Sequence, residues 1–404
     1  MTARTDRRTA WIARLDFRVV GIALILILYA FVWKDFANFI HAIDHCPLAF
    51  CDFQQFYYPA GAAVLRQAAL PVGFYYSSFA AVLFAPFALL PLSGALVVWG
   101  TVQVLAALAL YLLPGRSLLK DKASRFVYTV LFFTSAAVLN NFKWGQISTL
   151  IVLGVFAAFL LYENGKRYWS AALLGAIVAL KFFPAVFLLV FLFKKDWRYL
   201  LACAASAAAC LLAVPAAAMG PARAFQLQVA SGSSVTRMVS SVALVNTDTQ
   251  YFASVLTRYF KIPVGSPAFL GLTILGYLVT LFVVYLAYRV VRSGRPDGPV
   301  WAACLLWMTV PFWIPSAWPH YFAFLPLAQA LVFQALVQAG QPVRRGPFLL
   351  WLLSGLLASI LAELALRDWF SFAWLGLILW GNLAALGLAW SVLRKMLQPA
   401  PQSA

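Results

Sequence analysis

Apolar runs of about 20 residues recur along the chain, separated by short stretches rich in Lys and Arg. A helix of that length covers the roughly 30 Å hydrocarbon core of a bilayer, so each run predicts a membrane-spanning helix. The Lys and Arg clusters mark cytoplasmic ends. The first run, Val19–Val32, follows a basic stretch (Arg4, Arg7, Arg8, Arg14, Arg18), and no small-residue cleavage pattern comes after it. It reads as a retained helix entered from the cytoplasm and not as a signal peptide.

Later basic clusters fall at Arg116–Arg125, Lys166–Arg167, Lys194–Arg198, Arg289–Arg295, Arg344–Arg345 and Arg394–Lys395. All of them can be cytoplasmic only if two segments are irregular. Residues 76–113 are too long for one helix and are interrupted at Leu90–Gly94, which predicts an interfacial or half-inserted helix over 76–91 and a span over 92–113. Residues 169–193 begin and end beside basic clusters and carry Lys181-Phe-Phe-Pro184 at their centre. Pro184 breaks a helix, and a charge at the bilayer midplane costs about 2.5–3.5 kcal/mol even on a lenient scale. Two short helices, outward and back, with Lys181 at the outer turn, satisfy both constraints.

The expected fold class is an all-α integral membrane protein, a polytopic bundle of about 12 transmembrane helices with both termini cytoplasmic. Residues 1–404 form one membrane domain, with a core module over 1–216, a large outer loop over 217–265 and C-terminal helices over 266–395. The first and fourth extracytoplasmic loops, 34–75 and 217–265, are the long ones. Composition agrees: 64% of residues are hydrophobic and 10% charged, against about 25% charged in soluble domains. The net charge of +18 then belongs to cytoplasmic loops and not to a nucleic-acid site. Five Cys are too few and too scattered for a disulfide framework or metal site. Only Cys46 and Cys51 lie close together; a bridge and a pair of reduced thiols are both compatible with their spacing.

Candidate chemistry gathers on the outer face. The segment Asp52-Phe-Gln-Gln-Phe-Tyr-Tyr-Pro-Ala-Gly61 places a carboxylate beside amides (Gln55 among them) and aromatics (Tyr57, Tyr58). Aromatic faces and amides suit a sugar, and a carboxylate there can serve as general base toward a hydroxyl; the bland alternative is a solvated interfacial loop. Lys181 either caps helix carbonyls or holds an anionic group. His320, in Ser316-Ala-Trp-Pro-His-Tyr321 with Trp318, shares that face, as does the amide cluster from Asn141 to Gln146. Arg258 follows Asn246-Thr-Asp-Thr-Gln250 in the large outer loop and, taken alone, reads as a surface or lipid-headgroup contact. There is no Walker loop, HExxH, dinucleotide glycine fingerprint or paired DxD on the outer loops, which argues against cytosolic nucleotide chemistry and against a metal.

Taken in order, these motifs resemble glycosyltransferase family 87. The residues that carry the likeness are Asp52-Phe-x-x-Phe-Tyr, Phe74-Tyr-Tyr, Ala85-Pro86-Phe-x-x-Leu-Pro91 and Trp144-Gly-Gln146. Gly175 to Lys181 with Pro184, Gln250 to Arg258, and Ser316-x-Trp-x-His320 continue it, over roughly 15–340. The sequence departs from the family at Ser77-Ser78, where Pro is frequent, and in the shortness of the stretch between Gly61 and Phe74. The resemblance implies a GT-C membrane enzyme of the bacterial plasma membrane, acting as a monomer on the extracytoplasmic side. It implies a polyprenyl-phosphate sugar donor, such as polyprenyl-phosphomannose, a lipid or glycan acceptor, and no cofactor or metal. Asp52 would correspond to the catalytic base. Lys181, Arg258 and His320 would surround the donor phosphate, and Gln55, Tyr57, Tyr58, Gln146, Gln250 and Trp318 the sugar and acceptor. A lipid or sugar transporter or flippase is the alternative class, and a scaffold subunit a third. Transporters commonly show repeated halves with broken helices meeting at the midplane, whereas this chain has one marked break and no visible repeat.

Overall fold

The computed structural model describes residues 50–338, 345–366 and 372–397. The run Val19–Val32, residues 34–49 of the first outer loop with Asp44 and Cys46, Arg344 and Asp368 lie outside the described residues. Among the described residues there are helices and short 3-10 or π turns but no strand, only an isolated bridge between Ser135 and Ser359.

The helices that place the site are α1 (Tyr58–Leu65), α2 (Ser78–Phe84), α3 (Leu92–Ser117), α4 (Lys122–Phe133), α5 (Ala136–Trp144) and α6 (Ser148–Glu163). They continue as α7 (Arg167–Leu180), α8 (Leu188–Phe193), α9 (Trp197–Ala208), α10 (Pro221–Arg237), α11 (Phe252–Phe260) and α12 (Pro267–Arg292). The last are α13 (Gly298–Met308), α14 (Leu325–Gln338), α15 (Arg345–Leu357) and α16 (Leu377–Met396). Their starts follow capping chemistry: Ser77, Asp121, Ser135, Asp196 and Ser266 each accept a first-turn backbone N–H.

Five helices in the described residues are long and apolar enough to cross a bilayer unaided: Leu92–Ser117, Trp197–Met219, Pro267–Arg292, Pro319–Gln338 and Leu377–Met396. The pair α5 and α6, bent by 118° at Gly145, brings the number to six if it is one broken span. By length alone the described residues therefore fall short of the dozen that the apolar runs suggest, because the other apolar helices are only 10–17 residues long.

Both irregular segments break where the sequence predicts. Residues 78–89 form a short α and 3-10 unit that ends in extended backbone at Leu90, and α3 then starts at Leu92. Helix α7 stops at Lys181, which is extended (φ −149°, ψ 126°), and a 3-10 turn over Phe183–Phe187 leads into α8. The two ends of this segment meet again, through an Arg167–Asp196 ion pair and a Lys194–Glu163 contact of 3.3 Å. Lys181 therefore sits at the far turn of an out-and-back pair.

The bundle is polar in different ways at its two ends. At one end, the Lys194 cluster neighbours the Arg289 cluster through the Phe193 and Tyr288 rings (5.4 Å), and Lys120 N–H donates to Gln334 Oε1 (2.6 Å). At the other, Gln250 N–H donates to the Ala317 carbonyl (2.8 Å), Leu379 N–H to Gln250 Oε1 (3.3 Å), and His320 meets Asn140 (3.3 Å). Basic clusters thus collect at one end, and buried amides with the acid and lysine of the first loop and turn collect at the other.

Candidate active site

Asp52 opens a five-residue π turn, Phe53–Tyr57, that runs straight into α1. The Tyr58 N–H bonds the Phe53 carbonyl, five residues back, in place of the Gln54 carbonyl of an α-helix, which widens the turn, and Pro59, with no N–H of its own, follows at once. The turn is anchored by rings: Phe53 stacks on Trp99 (5.2 Å) and Tyr57 on Phe84 (4.6 Å), all buried. Gly61 then meets α2 so closely that a Cβ would lie 2.3 Å from the Phe84 carbonyl oxygen.

Gln146 is the second member. Gly145 ends α5 in the left-handed region (φ 65°), which a side chain would resist, and a Cβ there would also strike Phe50 at 2.8 Å. The turn is tied to α3, where Trp99 Nε1 donates to the Gly145 carbonyl (3.0 Å) and Gln103 Nε2 to the Gln146 carbonyl (2.8 Å). Asn141 and Thr149 complete this buried amide network against Gln103. The Gln146 side chain then spans two chemistries: its Nε2 donates to the Asp52 carboxylate, and its Oε1 accepts from Tyr57 (2.8 Å) and Tyr76 (2.9 Å). Burial, reinforced by neighbouring charge, pushes both tyrosines well above the ordinary phenol range, so both hydroxyls stay protonated donors.

Lys181 closes the group from the opposite side. Its ammonium lies 3.5 Å from the Tyr76 hydroxyl and packs over Tyr321 (3.9 Å), with Tyr76 and Phe183 forming the rest of an aromatic cage. Burial lowers it from the usual lysine range to about 7, and the nearby Asp52 charge opposes that shift. His320 belongs to the same neighbourhood: it meets Tyr321 edge-on (5.0 Å), Nδ1 pairs with Asn140 Oδ1 (3.3 Å), and the buried Nε2 has no hydrogen-bond partner.

The remaining expected site residues are placed differently. Arg258 gives its guanidinium to backbone carbonyls, at Trp374 (3.1 Å), Thr249 (3.0 Å) and Asn246 (3.4 Å), and burial lowers it to about 10. The Trp374 bond ties the large outer loop to the last helices, and the other two brace the loop internally. Gln250 is buried and likewise joins Ala317 to Leu379. Tyr58 donates to the Leu90 carbonyl (2.9 Å), Gln55 is exposed beside Cys51, and Trp318 is half-buried at the start of the His320 turn. Cys51 is disulfide-bonded, and Cys203, Cys210 and Cys304 are free. Tyr76, Tyr321 and Asn140 are site residues that the sequence did not single out. The triplet Phe74-Tyr-Tyr was the only signal for the first of them, and nothing local distinguishes the other two. Among the described residues no three His, Cys, Asp or Glu side chains cluster as metal ligands would.

A carboxylate held by an amide, a caged lysine and a half-partnered histidine meet at one end of an apolar helical bundle, which marks a membrane protein with a polar candidate site. Comparison with known proteins gives the family. Residues 74–314 match glycosyltransferase family 87, so the chain belongs to that family. Gln146 and Lys181 fall inside the matched stretch, whereas Asp52 precedes it and His320 follows it.

Among curated relatives is a polyprenol-phosphate-mannose-dependent alpha-(1-2)-phosphatidylinositol mannoside mannosyltransferase of Mycolicibacterium smegmatis. It is 29% identical over 290 residues, which cover 66% of this chain and 63% of the relative. The protein of the same name from Mycobacterium tuberculosis is 29% identical over 352 residues, 80% of this chain and 76% of its own. A phosphatidylinositol pentamannoside mannosyltransferase of M. smegmatis is 24% identical over 334 residues, 77% of this chain and 67% of its own.

Proposed function

We propose that the chain is an inverting glycosyltransferase. It moves a hexose of mannose type from a polyprenyl-phosphate sugar to a hydroxyl of a lipid or glycan acceptor. The observation that carries the reading is the convergence of Asp52 and Lys181 on the Gln146–Tyr76 pair. Asp52 takes the proton from the acceptor hydroxyl, whose oxygen forms the new bond to the sugar C1. The bond from C1 to the phosphate oxygen breaks from the opposite face and its electron pair leaves with the phosphate. The donor phosphodiester carries one negative charge and the departing polyprenyl phosphate gains a second, which Lys181, with His320 beside it, is placed to meet. The proposal needs no metal and no nucleotide. Gln146 fixes the base, while Tyr57 and Tyr76 hold Gln146 in one amide orientation.

The same proposal puts the site on the extracytoplasmic face of a bacterial plasma membrane. Its support is that the basic clusters gather at the opposite end, as cytoplasmic ends do. Spans then number about 12 when the short apolar helices are counted with the first run, and the chain acts as a monomer. The test is transfer from radiolabelled polyprenyl-phosphomannose by purified protein, supplied with a lipid extract of its host. Asp52→Asn is expected to keep the fold and abolish transfer, while Asp44→Asn retains a measurable fraction. Near-normal turnover in the Asp52 variant would sink the mechanism.

A further inference from the structure

The two serines at 77 and 78 do more than start a helix. Ser77 Oγ accepts the Ala80 N–H (3.3 Å), as an N-cap does, and its own proton goes elsewhere, to the Ala179 carbonyl at 2.6 Å. That carbonyl lies in the last turn of α7, where carbonyls have no partner within the helix, two residues before Lys181. Both residues at this contact are buried. Ser78 binds in the other direction: its N–H (3.1 Å) and hydroxyl (2.8 Å) both donate to Gln228 Oε1 on α10. Ser231, one turn further along α10, donates to the Tyr76 carbonyl. The backbone of Tyr76 is thus pinned on both sides, and Ser77 joins it by a hydrogen bond to the backbone of the helix that ends at Lys181. Proline at 78 would remove both of the Ser78 donors and proline at 77 the hydroxyl.

We propose that Ser77 is a positioning residue that sets the Lys181 ammonium against Tyr76, and through it against the Gln146–Asp52 pair. The bond fixes the end of α7 relative to the Tyr76 segment, two elements that are 102 residues apart. Without it the α7 terminus can draw back, the aromatic cage opens, and water reaches the ammonium. The groups facing Lys181 are Asp52 from the π turn, Tyr76 from the pinned segment, and His320 and Tyr321 from the turn before α14. The role in transfer rests on the glycosyltransferase reading, whereas the placement of the lysine does not.

The experiment is acylation of amines in the purified full chain across pH 6–10, with the rate at Lys181 followed by peptide mass spectrometry. Ser77→Ala is expected to move the Lys181 midpoint upward toward the ordinary lysine range and to lower kcat/KM for polyprenyl-phosphomannose by about tenfold or more. Ser77→Thr, which keeps the hydroxyl, restores the wild-type midpoint. Gln228→Ala, which loosens α10 but leaves the Ser77 bond, keeps it too. If Ser77→Ala does not fold, Ser77→Cys is read by the same criterion. An unmoved midpoint in the hydroxyl-deficient variant, or an equal movement in Gln228→Ala, overturns the proposal. Wild-type protein that shows no transfer overturns the glycosyltransferase reading alone, because the labelling midpoint is measured without it.

Discussion

Replacing Gln146 by glutamate puts a second carboxylate against Asp52 at the position where an amide N–H now donates. Two unit charges about 3 Å apart repel by roughly 5 kcal/mol at an effective dielectric of about 20. Asp52 is half-buried, so solvent weakens this; half the value, about 2.5 kcal/mol, is still a factor of roughly 50–100. The last proton of the pair is therefore held about 2 pH units higher than on a lone carboxylate, since two adjacent carboxylates resist ionising together. A base that holds a proton cannot take another. The acid limb of the transfer profile should therefore move up by about 2 pH units, with the deficit largest at the acid end of the range and closing as the pH rises and the shared proton is lost. Gln146→Leu makes the contrast, because it removes the donor without adding charge. A hydrogen bond to a charged group contributes about 1.5–3 kcal/mol, so the loss is about 10–150-fold with no recovery at high pH. The assay is initial-rate transfer from radiolabelled polyprenyl-phosphomannose between pH 5.5 and about 9, on protein shown to be folded by thermal unfolding. A Gln146→Glu variant with the wild-type rate and pH profile would refute the assignment of Asp52 as base.

Three further outcomes are expected. Lys181 titrates at about 7 in the free protein, and a bound phosphodiester favours its charged form; the donor KM should stay low below that pH and climb above it, approaching about tenfold per unit. Lys181→Met should raise KM at pH 6 and flatten the slope, and a wild-type KM that is level across the range removes the lysine from donor binding. Gly61→Ala drives a Cβ into rigid backbone at Phe84 and Ala85. It should cost about 1–3 kcal/mol or more, read as a lower unfolding temperature with loss of transfer, and an unchanged unfolding temperature contradicts the close approach. Finally, alkylation of unreduced, unfolded protein should label Cys203, Cys210 and Cys304 and spare Cys51, next to the base; an alkylated Cys51 would mean that aromatic packing alone holds the turn.

Much of the architecture follows from local chemistry, and local chemistry is legible. Apolar runs bounded by Lys and Arg specify helices and their ends, because a backbone in hydrocarbon must satisfy its own hydrogen bonds. Pro184 and the charge of Lys181 specify a break in 169–193, and the helix does end at Lys181. The interruption at Leu90–Gly94 specifies the start of α3. The clustering of Asp52 with Gln and Tyr specifies a polar turn at an apolar surface.

What the turn touches was decided by packing. Gln146 lies 94 residues from Asp52 and Tyr76 lies 105 from Lys181, and no periodicity carries information over such separations. Their meeting depends on Gly61 against Phe84, Gly145 against Phe50, and Ser77 against Ala179, three close contacts whose register only the assembled bundle fixes. Arg258 shows the converse. In sequence it is a cation on an outer loop, but in the fold it donates to two carbonyls of that loop, Asn246 and Thr249, and to the distant carbonyl of Trp374. A charged side chain is visible in the sequence; which acceptors claim it is settled only when distant backbone arrives beside it.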